Sequence, residues 1–406
     1  MMDRRTLLAA ISAHLAIGSP ALRHHAGIGQ PLAGYLRTNW SKDPLSLGSY
    51  SYAAKTAKAG DRLSLAEPIA EAVFFAGEAC HPDYGSTVHA AYESGVIVAK
   101  AVGRTSHERI AIIGAGISGL AAAQALAKAG RTVTIFEARD RIGGRIRTSH
   151  ALGVPLDLGA SWIHGVDGNP LGELADAIGL KRFGMSDSHV VRDGQGRKVR
   201  AMAQPDWLFE EVEAQTAFGA DPDLVDADAL EGNDGYGGGD VAFASGYSAL
   251  LKTLEGDYDV ALSSAVSRVR IMAAGVALDV EGQGLRAFDA VILTVPLGVL
   301  KAGAIGFDPP LPAGKLAAIG RSGMGVLDKL YLRFDAVFWD DATWIYTPET
   351  GLPRGQFNLW LNLHPYLGAP VLAAFNGGSA ALALANLGDD QVVGQALDVL
   401  RRAYRG

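Results

Sequence analysis

Apolar residues follow two rhythms along this chain. A short apolar run, Ile110-Ala111-Ile112-Ile113, meets the segment Gly114-Ala115-Gly116-Ile117-Ser118-Gly119, after which a helical period takes over at Leu120, Ala123, Leu126 and Ala127. A second run, Thr132-Val133-Thr134-Ile135-Phe136, then ends on the acid Glu137. The pattern predicts strand, tight turn, helix, strand. Alternating runs at 258–262, 266–271, 276–281 and 290–295 predict further strands, the last leading into Pro296-Leu297-Gly298. Runs at 328–334, 343–347, 356–363 and 370–376 predict another set of strands, with a helix near 389–403.

A strand opening through G-x-G-x-x-G into a helix has a physical purpose. Gly114 allows a tight bend, Gly116 lets backbone N–H groups reach a pyrophosphate, and Gly119 lets helix and strand pack closely. Glu137, eighteen residues beyond Gly119, stands where a carboxylate accepts hydrogen bonds from a ribose 2′-hydroxyl. The glycines alone would fit a turn in any α/β fold; strand, turn, helix, strand and acid in register predict a dinucleotide site. Arg139 and the stretch Arg141 to Thr148, with Gly143-Gly144 flanked by Arg145, add cations suited to the phosphates of a longer dinucleotide.

Composition narrows the setting. The 406 residues, 49% hydrophobic and 19% charged, suffice for a large core in two domains. A net charge of −7 argues against nucleic acid as the main partner. The single cysteine, Cys80, excludes an internal disulfide framework, and no metal-ligand spacing stands out. No apolar stretch is long enough to predict a membrane span. Residues 1–27 stand apart: Arg4-Arg5 before the apolar run AAISAHLAIG and Ser19-Pro20-Ala21 resemble a twin-arginine leader, implying periplasmic export. An ordinary amphipathic start to a cytoplasmic protein is the alternative, since His14 interrupts the run. Between 201 and 240 there are eleven acidic residues and no lysine or arginine. That stretch is either a solvated loop or the border of an entrance that concentrates polycations.

The segment 109–148 resembles the flavin-binding signature of the glutathione-reductase-like superfamily, specifically the flavin amine oxidases. DLGASWIHGVDGNP (157–170), DAVILTVPLGVLK (289–301), GMGVLDKLYLRF (323–334) and FWDDATW (338–344) resemble blocks of the polyamine oxidase, spermine oxidase and histone-demethylase branch. So do LRTNWSKDPLSLGSYSY (36–52) and VFFAGEACHPDYGSTVHAAYESG (73–95), which in that family lie near the C-terminus. The order reads as a circular permutation, with 102–108 joining the family's last helix to its first strand, or as a rearrangement within the sequence itself. The resemblance implies an α/β fold: a glutathione-reductase-like FAD-binding Rossmann domain from 60–165 and 246–305, and an α+β substrate domain from 28–59, 166–245 and 306–406. Both domains would be discontinuous.

The same resemblance assigns chemistry. FAD accepts the electrons of amine oxidation, leaving the protein to position the substrate and manage its proton. Stripping that proton from an alkylamine at about three units below its pKa costs roughly 4 kcal/mol. Lys329 resembles the lysine that holds a water against the flavin, His164 the substrate-side histidine, Trp40 the tryptophan beside the rings, and Tyr84 belongs to the block supplying an aromatic wall. Gly159, Ala160, Ser161, Trp162 and Val266 are placed against the cofactor; Glu78 lies near its phosphates and ribityl chain, and Thr87 and Val88 begin a helix directed at the ring. Covalent relatives carry a cysteine where Ser49 stands, which implies noncovalent FAD. There is no inserted coiled-coil arm of the histone-demethylase kind, which argues against a chromatin role. The implied reaction takes hydride from a C–N bond of an amine or polyamine, forms an imine that hydrolyses, and passes electrons to molecular oxygen as hydrogen peroxide. A flavin desaturase or dehydrogenase with another acceptor, and a GDP-dissociation-inhibitor-like carrier without catalysis, are the alternatives.

Overall fold

The structure, a computed structural model, describes residues 16–17, 30–200, 206–226 and 235–404. The leader-like stretch otherwise lies outside the described residues, as do Ile28 and Gly406, between which a permuted chain would have been opened.

Two β-sheets organise the chain. The glycine turn joins the strand Arg109–Ile113 to the helix Ile117–Lys128, and the strand Thr132–Phe136 follows. These belong to a five-stranded parallel sheet ordered Asp259–Ala261, Thr132–Phe136, Arg109–Ile113, Ala290–Leu293, Val73–Phe75. Strands buried on both faces read as continuous apolar runs, as Ile110–Ile113 does. One face is covered by the helices Val88–Gly103 and Ile117–Lys128 through Val98, Val102, Leu120 and Leu126. A second layer of strands, including Val266–Ile271 and Val276–Val280, covers the other through Val269, Leu278 and Phe136. Residues 104–108 lead straight from the helix Val88–Gly103 into the strand Arg109–Ile113.

The other large sheet is ordered Ala16–Ile17, Leu32–Arg37, Leu327–Phe334, Val371–Gly377, Leu359–Asn362, Trp344–Tyr346, His189–Arg192, Lys198–Val199. Period-two alternation decides what each strand offers to each side. In Leu327–Phe334, Leu330, Leu332 and Phe334 join a core with Val392, Val393, Ala396 and Leu400 of the helix Asp389–Ala403. Tyr331 points the other way, into a cluster with Leu361, Ala373 and Phe375. Lys329 shares the parity of Tyr331 and pairs with Phe375 across the ladder, so the strand that builds the core also aims this lysine away from it. The covering helix has Asp389 and Asp390 in its first turn and Arg401 and Arg402 in its last, complementing its dipole.

The predicted runs near 109–136, 258–295 and 328–376 coincide with strands or the glycine-turn helix, and 389–403 with a helix. The strands Leu32–Arg37, Val73–Phe75, His189–Arg192 and Gly284–Phe288 lie outside the predicted runs. Gly284–Phe288 is largely exposed and has no apolar alternation to reveal it. Among the described residues no helix is long and apolar enough to cross a membrane.

Candidate active site

The three glycines of the turn meet different surroundings. A Cβ on Gly119 would come within 2.1 Å of the Gly114 carbonyl oxygen, so the helix can approach the strand only through this residue. Gly114 has φ 105°, and a Cβ there would meet the Thr294 hydroxyl at 2.7 Å. A Cβ on Gly116 would meet nothing within 4 Å, because Gly116 faces a cavity of about 1660 Å³ that runs from the glycine turn to Lys329. The helix N-terminus therefore presents its dipole and unpaired N–H groups to open space, the arrangement that suits a pyrophosphate. Gly143 at φ 99° and Gly144 at φ 57° cross directly over the turn, with the Gly143 N–H donating to the Ala115 carbonyl at 2.8 Å.

Glu137 braces this turn: Oε2 accepts from the Ala115 N–H at 2.7 Å and Oε1 from the Arg139 N–H at 2.9 Å. The arginines are also committed. Arg139 donates to Asp43 at 3.0 Å and to Ser46 at 2.9 Å, and Arg145 donates to the Ser49 carbonyl and to Glu78, both at 2.9 Å. No pattern along the chain points to these partners, which lie 67 to 96 residues earlier; a partly buried guanidinium requires them. Glu78 is only 4% exposed and gathers Ser51, Ser86 and Arg145 around its carboxylate. Burial alone would push its carboxyl up, but Arg145, Ser51 and Arg62 together hold it below its ordinary value. Val266 lines the same cavity at the start of a strand whose ladder shifts register beside it.

Thr87 caps the helix Val88–Gly103 by accepting from the Ala90 N–H at 3.1 Å, and with Val88 it faces the cavity. Gly95 sets where this helix crosses the glycine-turn helix, since a Cβ there would lie 2.2 Å from the Ser118 carbonyl oxygen. Ser49 lines the cavity, and its hydroxyl closes onto the backbone of Leu327, donating at 3.0 Å and accepting at 2.8 Å.

Lys329 is 4% exposed, and its Nζ donates to the carbonyls of Asp157 at 3.1 Å and Gly159 at 2.6 Å and to the Ser161 hydroxyl at 2.5 Å. All three ammonium hydrogens are thereby used, so retaining a water would require exchanging one of these partners. Burial lowers its pKa to about 8, with Asp157 opposing the shift. Nζ lies 5.2 Å from the Trp162 ring and 5.7 Å from that of Phe375, and Trp344 completes an aromatic triangle with those two. Ala160 lines the cavity beside them. Trp40 is buried at the cavity wall with its indole N–H donating to the Leu158 carbonyl at 3.2 Å.

His164 also borders the cavity but is exposed, its side chain 59% accessible, and its Nδ1 sits 2.7 Å from Asp240. Burial alone would raise the Asp240 carboxyl; the His164 hydrogen bond and charge and the Gly165 N–H bring it below its ordinary value. Tyr84 stacks on Tyr236 with centroids 5.2 Å apart, and His89 packs edge-on against both rings. The Tyr236 hydroxyl donates to Glu93 at 2.7 Å. Sequence reasoning missed Tyr236 and the pairing of Asp240 with His164, having read Asp240 only as the end of the acidic run, and it missed His89 and Thr294. The first two close on residues more than seventy positions away, for which the sequence carries no local signal.

A parallel sheet with a glycine-turn dinucleotide cleft, opening onto a buried lysine and an aromatic cage, defines a flavoprotein oxidoreductase. The chain belongs to the flavin-containing amine oxidoreductase family, whose model matches residues 2–103, 117–206 and 190–405; a model of the pyridine nucleotide-disulphide oxidoreductases matches 72–152. Its relatives include probable polyamine oxidase 4 of Arabidopsis thaliana, 32% identical over 359 residues that span 73% of this chain and 71% of that protein. Polyamine oxidase 4 of Oryza sativa subsp. japonica is 30% identical over 354 residues, 72% of each. Among solved structures, cyclohexylamine oxidase from Brevibacterium oxydans IH-35A shares the fold with a TM-score of 0.59 at 23% identity, covering 73% of this chain and 81% of that one. A redesigned putrescine oxidase gives 0.55 at 23% identity over the same shares. The protein is an FAD-dependent amine oxidoreductase.

Proposed function

We propose that this chain oxidises a di- or polyamine, holds FAD without a covalent bond, and returns the electrons to molecular oxygen as hydrogen peroxide. The observation that carries the substrate reading is charge asymmetry within one cavity. The Lys329 ammonium and the triangle Trp162, Trp344 and Phe375 occupy one region, while the carboxylates of Glu213 and Asp240 line the same cavity. Bound FAD supplies the two-electron acceptor for C–N oxidation; Gly116, Glu137, Gly144, Arg145, Glu78 and the Thr87–Val88 turn are the residues to hold it. Desolvation in the enclosed end of the cavity and the lysine's positive charge disfavour a second cation there, so the reacting nitrogen loses its proton. An ammonium elsewhere on the same molecule is balanced by Glu213 and Asp240. Peroxide release across monoamines, diamines, polyamines and amino acids tests this. Turnover restricted to monoamines, or reduction of another acceptor without peroxide, would favour the alternatives.

Of the acidic run 201–240, Glu213 and Asp240 line the cavity, whereas Asp221 accepts from the Ser379 N–H and hydroxyl. Steering of polycations should therefore depend on Glu213 more than on Asp221. We expect kcat/KM for a tetra-amine to fall roughly tenfold between low salt and about 0.5 M, where the screening length shrinks to a few ångströms, with a monoamine little changed. Glu213→Gln should remove much of that salt dependence. Equal salt sensitivity for both substrates would leave the acidic run as a solvated surface.

Ser49 offers no thiol for attachment, so acid-denatured protein should release all its FAD into the supernatant. Flavin remaining on the precipitate would count against a noncovalent cofactor. The permuted order also belongs to this proposal. Its support is that Val73–Phe75, first of its sheet along the chain, lies at the edge beside Ala290–Leu293, the last. The division into FAD-binding and substrate domains at the boundaries given above is proposed on the two sheets. The paired arginines support export, and cell fractionation after changing Arg4 and Arg5 to lysine separates that from cytoplasmic residence.

A further inference from the structure

Asp328 precedes Lys329 and, by strand alternation, faces away from it, toward the side of the sheet covered by the C-terminal helix. It is buried and does not line the cavity. Its Oδ1 accepts two hydrogen bonds, one from the Thr38 hydroxyl at 2.9 Å and one from the Trp40 backbone N–H at 2.9 Å. The Thr38 hydroxyl in turn accepts from the Lys329 N–H at 2.8 Å, and the Thr38 N–H donates to the Lys329 carbonyl at 3.0 Å. On the cavity side, Trp40 grips the Leu158 carbonyl while Lys329 grips the carbonyls on either side of it, those of Asp157 and Gly159. The result is a closed ring: Asp328 to Trp40, to the 157–159 strip, to Lys329, to Thr38 and back.

We propose that Asp328 is a positioning residue, one carboxylate oxygen fixing the Trp40 ring and the Lys329 ammonium relative to each other without touching substrate or cofactor. Among the described residues no ion pair balances this group. Its surroundings are the neighbouring strand's Arg37, whose guanidinium is spent on Leu387, Leu384 and Asp389, the uncharged Asn376 across the ladder, and the helix Gly378–Leu384, which has no titratable side chain. Burial pushes the Asp328 carboxyl up to about 6, against the pull of the Trp40 N–H, Thr38 and Arg37. A folded pKa above the unfolded value of about 3.9 means that stability is highest below that value and is lost as pH rises through about 6. At neutral pH the ionised group thus works against the fold, a pattern expected where geometry at a site is kept at the expense of stability.

The proposal rests on Lys329 and Trp40 acting in the site, and the test separates the two claims. Flavin reduction is followed by stopped flow in FAD-loaded protein at saturating amine, from pH 5 to 9, beside thermal melts at pH 4 and 8. Protonation of Asp328 weakens the shared acceptor, so the parent rate should fall below pH about 6. Asp328→Asn keeps an acceptor oxygen and cannot ionise; its acid limb should vanish and its Tm should rise at pH 8 but not at pH 4. Asp328→Leu removes the acceptor and should slow reduction at least tenfold across the range with FAD content unchanged and Trp40 fluorescence altered. If that variant fails to fold, Thr38→Val cuts the Lys329 branch alone and should slow reduction several-fold. Persistence of the acid limb in Asp328→Asn, or parent rates in both Asp328→Leu and Thr38→Val, overturns the proposal. Should Lys329→Met itself be silent, the site assignment falls instead.

Discussion

Replacing Lys329 by methionine should leave a folded, FAD-containing protein whose flavin reduction or reoxidation is slower by at least tenfold, equivalent to about 1.4 kcal/mol of barrier. Methionine retains the length and apolar stem that pack between Trp162 and Phe375, and it deletes the ammonium held against those rings. The loss extends beyond charge. Nζ ties together the carbonyls of Asp157 and Gly159 and the Ser161 hydroxyl, so its removal leaves the Gly159 carbonyl only the long Ser161 contact at 3.4 Å, while the Asp157 carbonyl keeps the Tyr331 hydroxyl at 2.6 Å, and it loosens the strip that Trp40 also grips. Because burial brings the ammonium to about 8, the parent half-reaction that depends on it should inflect near that pH as the amine loses its proton. The variant should show no such inflection. Parent rates in both half-reactions, or an inflection that survives the substitution, would remove Lys329 from the site.

What the sequence made legible was local. The glycine turn could be read because its purpose is fulfilled within about thirty residues, and the strand holding Lys329 because one lysine among leucines is costly to bury. Parity then told which way it points only once Leu330 and Leu332 were seen to pack on the C-terminal helix. The partners that complete these residues were not legible. Arg139 reads as a phosphate ligand in a basic run, yet it is held by Asp43 and Ser46. His164 reads as a lone histidine in a turn, yet it pairs with Asp240 at the end of an acidic run. Tyr84 reads as part of the block supplying an aromatic wall, and its neighbour Tyr236 lies within the same acidic stretch. In each case the second member is brought in by sheet and helix packing over many tens of residues. Periodicity carries no information about such pairs, because polar residues that meet in space need not share any pattern along the chain.

The glycine turn should separate two effects that are usually confounded, the fold and its cofactor. Gly119→Ala places a methyl carbon 2.1 Å from the backbone oxygen of Gly114, with the Thr294 hydroxyl 3.1 Å away, and neither backbone nor a threonine donating to two carbonyls can yield cheaply. The helix Ile117–Lys128 must then lift off the sheet, opening the contacts of Leu120 and Leu126 and moving the N–H groups that face the cavity. Overpacking of this kind costs about 3 kcal/mol or more, so the apoprotein should melt several degrees lower and FAD should fail to bind at micromolar concentration. Gly116→Ala is the control, since its Cβ meets nothing within 4 Å and its φ of −73° suits any residue. That variant should keep the apoprotein Tm within about a degree and yet weaken FAD at least tenfold, the methyl group standing where the pyrophosphate must approach. Equal FAD affinity in Gly116→Ala and the parent would mean that the cofactor does not run over this turn, and an unshifted apoprotein Tm in Gly119→Ala would mean that helix and strand are not packed as closely as the structure places them.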